Sequence, residues 1–398
     1  MIGGGVQEIP AVVKLKEFGY RVIVVDRNKS APAFEFADVK VNFDGKDIAG
    51  IVSWILAFRE KYNISGIFTL TSLAPTVSIV ANATDLPTLP VHVVMECDNK
   101  LLMKRRFVEF SLPTAKYYEV STPEEAISIV NKNQDKLYCL KVADGFGGKG
   151  IKFIKNVVDI PEAFSLMQEF TSFPILLLEE VLEGDFIDVQ GVFYNDKFYA
   201  AGSADSYFSN EITEFSDFNP VEIFNVSPSQ QSKEVLADAY SLLEKASRKM
   251  GMNWGPVNAD FILTKEGLEI IEIGPRLHGP NGTLRMFPAS TGIESLEFMA
   301  QCVCDDEINE RLLIPKFNKV ALCYVFISSK EQIDNVGFII EPSKLPGLFA
   351  WNIYHGSETS ISRSNVTLSG LASVFVEGDS YEEALHNLEE VKNNFYIN

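Results

Sequence analysis

The spacing of apolar and polar residues divides the chain into three parts. Residues 1–89 alternate between strand-like and helix-like segments, which is the pattern of a parallel sheet with crossover helices. Residues 233–250 follow the 3.6-residue period of an amphipathic helix that packs on a core, and Gly251 ends it. From Phe317 onward strand-like segments dominate, until a capped helix begins near Tyr381. These patterns predict an α/β and α+β multidomain protein.

Glycines near the N-terminus indicate a possible dinucleotide site, but their spacing favours a scaffold. Gly3–Gly5 precede a helix-like segment, and the apolar strand Arg21–Asp26 ends in an acid, as in dinucleotide-binding folds. The GxGxxG spacing is absent, and the strand that should lead into the glycines is reduced to Met1–Ile2. We therefore expect a Rossmann-like scaffold or a wall for another substrate, with a further strand at Gly66–Leu70.

Two short strands joined by a turn bring two acids together. Thr264 and Leu268 flank Lys265–Gly267, which has the glycine that a three-residue hairpin loop needs at its left-handed position. This register places Asp260 opposite Glu272 on one face, with β-carbons roughly 5 Å apart. Adjacent carboxylates raise each other's pKa, and a divalent cation such as Mg²⁺ removes that cost. The alternative is an ordinary exposed hairpin that carries two acids.

A glycine-rich loop separates two strand-like segments, Leu137–Val142 and Ile151–Ile154. The loop, Asp144–Gly150, can fold its backbone N–H groups around phosphate oxygens, and Lys149 adds positive charge. Its spacing differs from that of a Walker loop, and no helix follows it. Lys141, inside the first strand, is costly to bury without an anionic partner. The alternative is a flexible hairpin with an outward-facing lysine.

Acidic residues follow the apolar run Ile175–Leu178. The backbone at the end of such a strand can recognise the edge of a nucleotide base. A carboxylate in the next segment, Glu179–Asp185, can hold ribose hydroxyls. The alternative is a plain strand–turn–strand with an acidic turn.

Three other segments have weaker signals. Asp98 can cap a helix that places Lys100 in its first turn, where a lysine is usually only solvated. Ser203–Gln231 is poorly periodic and predicts a long irregular loop. Pro280–Thr283 predicts a turn.

The charge balance and the cysteine spacing argue against several classes of protein. Of the 398 residues, 35 are Lys or Arg and 54 are Asp or Glu, and the net charge of −19 disfavours nucleic-acid and anionic-membrane partners. The five cysteines indicate no disulfide framework, and we expect Cys302 and Cys304 to be buried thiols rather than metal ligands. No apolar run reaches about 18 residues, so a cytoplasmic location is expected.

The order of these motifs resembles the ATP-grasp superfamily of carboxylate–amine ligases, in its biotin-carboxylase-like and L-amino-acid-ligase-like branch. The resemblance covers nearly the whole chain. It implies a Rossmann-like pre-ATP-grasp α/β domain at residues 1–92 and an ATP-grasp domain at 93–315, with a lid subdomain at about 115–178. A β-rich C-terminal cap is implied at 316–398.

The resemblance also implies roles for individual residues. Lys100 and Lys141 match the lysines that hold ATP phosphates and the adenine side. Asp260 and Glu272 match the Mg²⁺ carboxylates, and Arg276 matches the arginine that steadies the acyl phosphate. The lid loop and the hinge for adenine and ribose match the following residues: Gly147, Gly148, Lys149, Gly150, Glu179, Glu180, Leu182 and Asp185.

One position departs from the family pattern. An Asn usually follows the second metal carboxylate by two residues as a further ligand, and Gly274 occupies that position here. A second Mg²⁺ would then have fewer protein ligands, with water or phosphate completing its shell. Several amino-acid ligases tolerate a similar change.

The implied reaction converts a carboxylate to an acyl phosphate with ATP and joins it to an amine, with ADP and phosphate released. The implied cofactors are ATP and Mg²⁺, with Mn²⁺ as an option. The implied partners are small carboxylates and amines, without nucleic acid or membrane, and a homodimer is left open. His278 and Arg285 lie where a substrate carboxylate or amine would sit, although His278 can equally be structural.

Two alternative functions remain. A bicarbonate-activating carboxylase of the biotin carboxylase or purine-pathway type would share the same nucleotide site, although the sequence contains no biotin-carrier segment. A nucleotide-binding regulator without turnover is disfavoured because both lysines, both metal carboxylates and Arg276 are retained.

Overall fold

The computed structural model describes residues 1–145, 150–209, 220–305, 307–328, 333–354 and 370–398. Three predicted lid residues, Gly147, Gly148 and Lys149, lie outside these ranges, as does part of the irregular loop predicted at Ser203–Gln231. Within the described ranges, none of the helices combines the length and the apolarity that a membrane crossing requires.

The N-terminal part is a small α/β unit. Its parallel strands are β1 (Ile23–Val25) and β2 (Val39–Val41), and its helices are α1 (Ile9–Glu17), α2 (Ile48–Tyr62) and α3 (Ala74–Ala83).

The strand predicted at Gly66–Leu70 is wrong, because this segment is not a regular strand. Its neighbour Ile2 forms a single parallel bridge to Val25 and one backbone hydrogen bond to the segment, from Ile2 N to Phe68 O at 3.0 Å. Ile2 alone lies between Val25 and the segment that contains Phe68. A single residue cannot form the ladder of hydrogen bonds that would make this segment a strand. Asp26 accepts a hydrogen bond from Gly4 N at 2.9 Å. Its carboxylate therefore binds the backbone of the glycine segment, as a residue of a scaffold would.

A second unit is built on a four-stranded antiparallel sheet, which we call the lid sheet. Its strands are β3 (Tyr117–Val120), β4 (Tyr138–Lys141), β5 (Ile151–Ile154) and β6 (Leu176–Glu180), in the order β3-β6-β4-β5. Helices α4 (Val91–Asp98) and α5 (Lys100–Glu109) precede it, and α6 (Pro123–Lys132) and α7 (Ile160–Gln168) cover its apolar face.

The largest element is an eight-stranded antiparallel sheet, here the central sheet, with the order β11-β10-β7-β8-β9-β12-β15-β14. Its strands are β7 (Asp185–Tyr194), β8 (Lys197–Phe208), β9 (Glu222–Ser227), β10 (Gly255–Thr264), β11 (Gly267–Gly274), β12 (Val320–Ile327), β14 (Leu348–Ile353) and β15 (Gly370–Gly378). A short pair, β13 (Val336–Phe338) and β16 (Phe395–Ile397), lies apart. The remaining helices are α8 (Lys233–Lys249), α9 (Phe287–Thr291), α10 (Ser295–Cys304) and α11 (Tyr381–Asn393).

The central sheet continues across the boundary predicted at residues 315 and 316. Strand β12 pairs with β9 through Cys323↔Asn225, and β15 and β14 extend the same sheet outward. The predicted C-terminal cap is therefore joined to the predicted ATP-grasp core by main-chain hydrogen bonds. The domain boundaries themselves stay predictions.

The irregular loop predicted at Ser203–Gln231 is wrong, because it contains the end of β8 and all of β9. Ser203, Asp205 and Ser206 in β8 are buried polar residues, and Asp205 accepts from Ser229 Oγ and from Gln230 N. These polar pairs replace the hydrophobic alternation that would have marked a strand in the sequence.

The turn predicted at Pro280–Thr283 is also wrong. Helical structure begins at Pro280 and passes through a π-helical segment, Gly282–Met286, into α9. Pro and Gly that open a helix look like a turn in a sequence. Cys304 was expected to be a buried thiol, but it is exposed.

An apolar cavity of about 640 Å³ lies mainly within the N-terminal unit. Its lining includes Val22, Ile23, Trp54 and Phe68, and Arg276 touches its edge. It lacks convergent polar groups near Asp260 and Glu272, so we place the chemistry at the carboxylate hairpin instead.

Candidate active site

The β10–β11 hairpin places Asp260 directly opposite Glu272, as predicted. The predicted three-residue loop is wrong, because Thr264 pairs with Gly267 and leaves a two-residue turn. That turn alone would put Glu272 out of register. A bulge between Asp260 and Phe261, with Ile271 as the extra residue, restores the pairing.

The two carboxylates continue into a row of three. Asp188 in β7 lies opposite Asp260 in β10, so Asp188, Asp260 and Glu272 share one face of adjacent strands. Asp188 is 3% exposed, and Asp260 shares a hydrogen bond with it. Burial, reinforced by Glu272, raises the pKa of Asp260 to about 7. Burial and the neighbouring Asp260 raise the pKa of Asp188 well above its usual range. We call these three residues the acid row.

Lys100 neutralises the outer end of the acid row. Its Nζ lies 2.6 Å from Glu272 Oε2, and this cation holds the pKa of Glu272 at about 2. Lys100 is the first residue of α5, as predicted, but the cap is wrong: Asn99 rather than Asp98 accepts from Leu102 N. Asp98 is the last residue of α4.

Lys141 lies in a second, fully buried charge cluster. Its Nζ contacts Glu179 Oε1 at 2.6 Å, and Lys104 Nζ lies 3.2 Å from Glu179 Oε2. Lys104 also donates to Thr114 Oγ1 at 2.6 Å. Burial disfavours the charge on Lys141, but Glu179 outweighs it and raises the lysine's pKa. Burial lowers the pKa of Lys104, so Lys141 is the lysine of this cluster whose positive charge Glu179 reinforces.

A second polar row lies beside the acid row. Asn258 faces Gly274 on one side and Gln190 on the other, across β11, β10 and β7. In the orientation that satisfies its amide, Asn258 Nδ2 donates to Gly274 O and Arg276 O, both at 3.2 Å. Gln190 Oε1 accepts from His278 N at 2.7 Å and from Thr283 Oγ1 at 2.9 Å. These amides hold the segment that carries Arg276 against the acid row.

The three residues predicted beyond the hairpin have different surroundings. Burial and Arg276 lower the pKa of His278 to about 4, so this imidazole is neutral at physiological pH. His278 Nδ1 has no hydrogen-bond partner among the described residues. Arg276 Nη1 donates to Leu277 O at 3.1 Å, and Arg285 Nη2 donates to Asn352 Oδ1 at 3.1 Å. The charge of Arg276 acts on both Asp260 and Glu272, so Arg276 lies near the acid row, whereas Arg285 reaches the C-terminal strands.

The predicted hinge joins the lid sheet to the central sheet. Glu180 N donates to Lys116 O at 2.9 Å, and Leu182 lies in the short connection to β7. Asp185 accepts from Gln231 Nε2 at 3.0 Å. The described end of the glycine loop is Gly150, which has φ +74° and whose added β-carbon would lie 2.3 Å from Val142 Cγ2. Only glycine fits this turn without strain.

The acid row offers oxygen ligands of the kind that Mg²⁺ prefers. Among the described residues, no three of the His, Cys, Asp and Glu side chains converge as a ready-made metal site. Asp260 and Glu272 can therefore hold a divalent cation only with ligands from elsewhere, as when the cation arrives with a nucleotide polyphosphate. Burial and neighbouring carboxylates raise the pKa of both Asp260 and Asp188, and such a cation would favour their ionised forms.

Comparison with known proteins identifies the domain that contains these residues. Residues 97–280 match the ATP-grasp domain family. The chain therefore contains a domain of the ATP-grasp family, whose members are ATP-dependent ligases that form carbon–nitrogen bonds. The predicted family and fold class are thereby confirmed. ATP and Mg²⁺ are the cofactors that ATP-grasp enzymes use.

Individual relatives are distant. The Sinorhizobium fredii protein y4rH, itself uncharacterized, is 21% identical over 329 residues, and these cover 81% of this chain and 65% of that protein. The N5-carboxyaminoimidazole ribonucleotide synthase of Bacillus subtilis is 24% identical over 281 residues, 70% of this chain and 69% of the relative. The L-amino acid ligase from Bacillus licheniformis superposes with a TM-score of 0.80 at 15% identity, covering 100% of this chain and 97% of the ligase. At that identity the likeness concerns the fold.

Four residues of this region were not predicted from the sequence: Asp188, Lys104, Asn258 and Gln190. Asp188 sits between apolar residues in β7, as Lys141 does in β4, so the same criterion of a charge inside an apolar strand would have found it. Lys104 has no such signal, because a lysine within a helix is usually solvated.

Proposed function

We propose that this ATP-grasp protein is a carboxylate–amine ligase. It activates a carboxylate as an acyl phosphate with ATP and joins it to an amine. Its substrates are amino-acid-like small molecules. The observation that carries the proposal is the acid row with Lys100 at one end, 2.6 Å from Glu272. Without a ligand, Lys100 and Glu272 neutralise each other. When ligands bind, a metal ion can replace Lys100 beside Glu272, and Lys100 can then bind phosphate.

Each residue has a part in this proposal. Asp260 and Glu272 would hold Mg²⁺, or Mn²⁺, which takes the same oxygen ligands, and the ion would offset the charge of the transferring phosphoryl group. Lys100 and Lys141 bind the polyphosphate, and Arg276 steadies the acyl phosphate. The hinge Glu179–Leu182 presents its backbone to adenine, with Asp185 toward the ribose. By resemblance to the family, the loop that ends at Gly150 would cover the phosphates.

The proposed chemistry has two steps. A carboxylate oxygen of the substrate attacks the γ-phosphorus, and the bond from that phosphorus to the β-γ bridging oxygen breaks, which releases ADP. The amine then attacks the acyl carbon, and the carbon–oxygen bond to phosphate breaks. The departing phosphate takes up the proton that the amine loses. Exclusion of water by the closed lid would protect the acyl phosphate.

A bicarbonate-activating carboxylase is the second candidate, and the 24% identity to the Bacillus subtilis synthase favours it. Bicarbonate is small and needs no extended pocket for the activated carboxylate. A nucleotide-binding regulator is the third candidate. A cytoplasmic location and a homodimer stay predictions.

An ADP-release screen separates the candidates. The full chain with MgATP is tested against paired amino acids and other carboxylates, and separately against bicarbonate. We expect release that needs both a carboxylate and an amine. Release with bicarbonate alone would favour the carboxylase, and ATP binding without release would favour the regulator. Glu272→Ala should abolish release, whereas Glu266→Ala, in the exposed turn of the same hairpin, should leave it unchanged.

A further inference from the structure

The apolar cavity of about 640 Å³ lies beside β1 in the N-terminal unit. Its wall includes the side chains on one face of the β1–β2 pair, namely Ile23, Val25, Val39 and Val41. The segment 64–69 forms another part of the wall. Because this segment is not a regular strand, it does not extend the ladder of β1, and space remains between it, the sheet and α2.

The interior of this cavity suits an apolar ligand better than water. The buried hydroxyls of its lining are already bonded to backbone oxygens: Thr69 Oγ1 donates to Ile2 O at 2.9 Å, and Ser78 Oγ donates to Leu89 O at 3.0 Å. An ordered water needs about two to four polar partners, whereas an empty apolar cavity costs more free energy the larger it is. A ligand with an apolar body removes that cost.

The cavity reaches the surface at the start of β1 and the end of α2, where its lining residues Arg21 and Lys61 are exposed. We call this opening the mouth. Arg21 Cζ lies 5.8 Å from the ring centre of Tyr62, and Lys61 Nζ lies 5.1 Å from it. Tyr62 in turn stacks on Trp54, with 5.8 Å between the ring centres. Two positive charges are therefore held around one aromatic ring at the mouth.

The cations of the mouth lack the partners that the acids of the lining have. In the part of the chain that the structure describes, neither Arg21 nor Lys61 has a carboxylate within 4.0 Å. Asp38 binds Lys16 at 3.1 Å and accepts from the backbone N–H of residue 22 at 2.8 Å. Asp305 accepts from Tyr20 Oη at 2.6 Å. An anion at the mouth would therefore meet cations that are free to bind it.

The mouth lies at the end of the sheet where α/β folds do not usually bind their substrates. Such folds hold ligands outside the carboxyl ends of the strands. The carboxyl end of β1 leads to Asp26, which binds Gly4 N, whereas Arg21 precedes the amino end of β1. A ligand that enters beside Arg21 therefore occupies a site apart from the substrate crevice expected for this unit.

We propose that the cavity binds a monocarboxylate with a long apolar chain, with its carboxylate between Arg21 and Lys61 and its chain inside. An uncharged chain would gain from burial alone, and a short carboxylate would gain from charge alone. The ligand that combines both gains most from this site. The inference goes beyond the proposed ligase function and does not rest on it, because it involves neither ATP nor the acid row.

The test compares decanoate with decan-1-ol and with hexanoate. Each is titrated against the full chain without ATP and followed by tryptophan fluorescence, since Trp54 and Trp254 line the cavity. Decanoate should bind at least tenfold more tightly than either of the others. The double variant Arg21→Met/Lys61→Met should lose the preference for the acid over the alcohol. The control Arg27→Met/Lys29→Met, which removes exposed cations of the same unit outside the lining, should keep it.

Three results of these titrations would overturn the proposal. They are absence of decanoate binding, equal affinity for decanoate and decan-1-ol, and a preference for the acid that survives in Arg21→Met/Lys61→Met. Arg276 also touches the edge of the cavity, so Arg276→Met is measured as well. Loss of the preference in Arg276→Met alone would place the carboxylate beside the acid row and would refute the site at the mouth.

A second pair of variants tests whether the chain occupies the cavity. Val25 lines the cavity, whereas Val24 faces the other side of the sheet, is 0% exposed and lies outside the lining. Val25→Phe should weaken decanoate at least tenfold and keep the unfolding temperature, because the ring enters the cavity. Val24→Phe should lower the unfolding temperature by overpacking. Unchanged decanoate affinity in Val25→Phe, or an equal loss of stability in both variants, would contradict the proposal.

Discussion

Lys100 Nζ and Glu272 Oε2 are 2.6 Å apart, which makes this lysine the counter-ion of the proposed metal ligand. A metal ion and phosphates cannot bind there until the pair separates. Lys100 therefore weakens metal binding to Glu272, but its positive charge strengthens the binding of a polyphosphate. We expect Lys100→Met to bind Mn²⁺ alone more tightly and ATP at least tenfold more weakly. Mn²⁺ titration by EPR and calorimetry with ATP measure the two effects.

Lys265→Met is the matched control, because Lys265 is exposed in the turn of the same hairpin. It removes the same charge from the protein without touching the pair. Weakening of both Mn²⁺ and ATP binding in Lys100→Met would show that Lys100 has no competing role toward metal.

The raised pKa of Asp260 makes stability depend on pH. Burial and Glu272 raise this pKa to about 7, whereas an unfolded aspartate titrates near about 3.9. Between these values the folded protein binds the extra proton, so stabilisation is present at low pH and is lost as the pH rises toward 7. Asp260→Asn cannot titrate. Its free energy of unfolding should therefore rise relative to wild type between about pH 4 and pH 7, as measured by urea denaturation in EDTA.

His278 contributes a slope of the opposite sign over a similar range. Burial lowers its pKa to about 4 from about 6.5 in the unfolded chain, so stability is lost as the pH falls through this window. Because His278 is present in both proteins, the difference between wild type and Asp260→Asn removes its contribution. Parallel stability curves for the two proteins would contradict the raised pKa of Asp260.

Gly282 makes room for His278. An added β-carbon would lie 2.4 Å from His278 Nδ1 and 3.1 Å from Phe287 Cζ. We expect Gly282→Ala to lower the free energy of unfolding by about 1–3 kcal/mol, as overpacking does elsewhere. Gly279→Ala is the control, because nothing lies within 4 Å of its added β-carbon. Equal stability of the two variants by urea denaturation would refute the contact.

The sequence was sufficient for the pairing of Asp260 with Glu272 but not for the path of the chain between them. Alternation in short strands identifies the shared face, whereas the bulge at Ile271 has no glycine or proline to mark it. The polar strand β8 escaped detection because Asp205 and Ser206 are buried through hydrogen bonds that a single sequence does not contain. The roles assigned to Lys141, Glu180 and Arg276 stay predictions, since position alone does not establish a ligand.

Gly274 and Asn258 form the last testable pair. The Asn258 amide lies 2.8 Å from where a β-carbon on Gly274 would stand, so it fills the space of the asparagine that the family usually has there. Gly274→Asn alone should destabilise the protein by about 1–3 kcal/mol through overpacking. Adding Asn258→Ala should recover part of that loss, with a coupling energy of about 0.5–3 kcal/mol in a double-mutant cycle measured by urea denaturation. Additive effects of the two substitutions would show that Asn258 does not occupy that space.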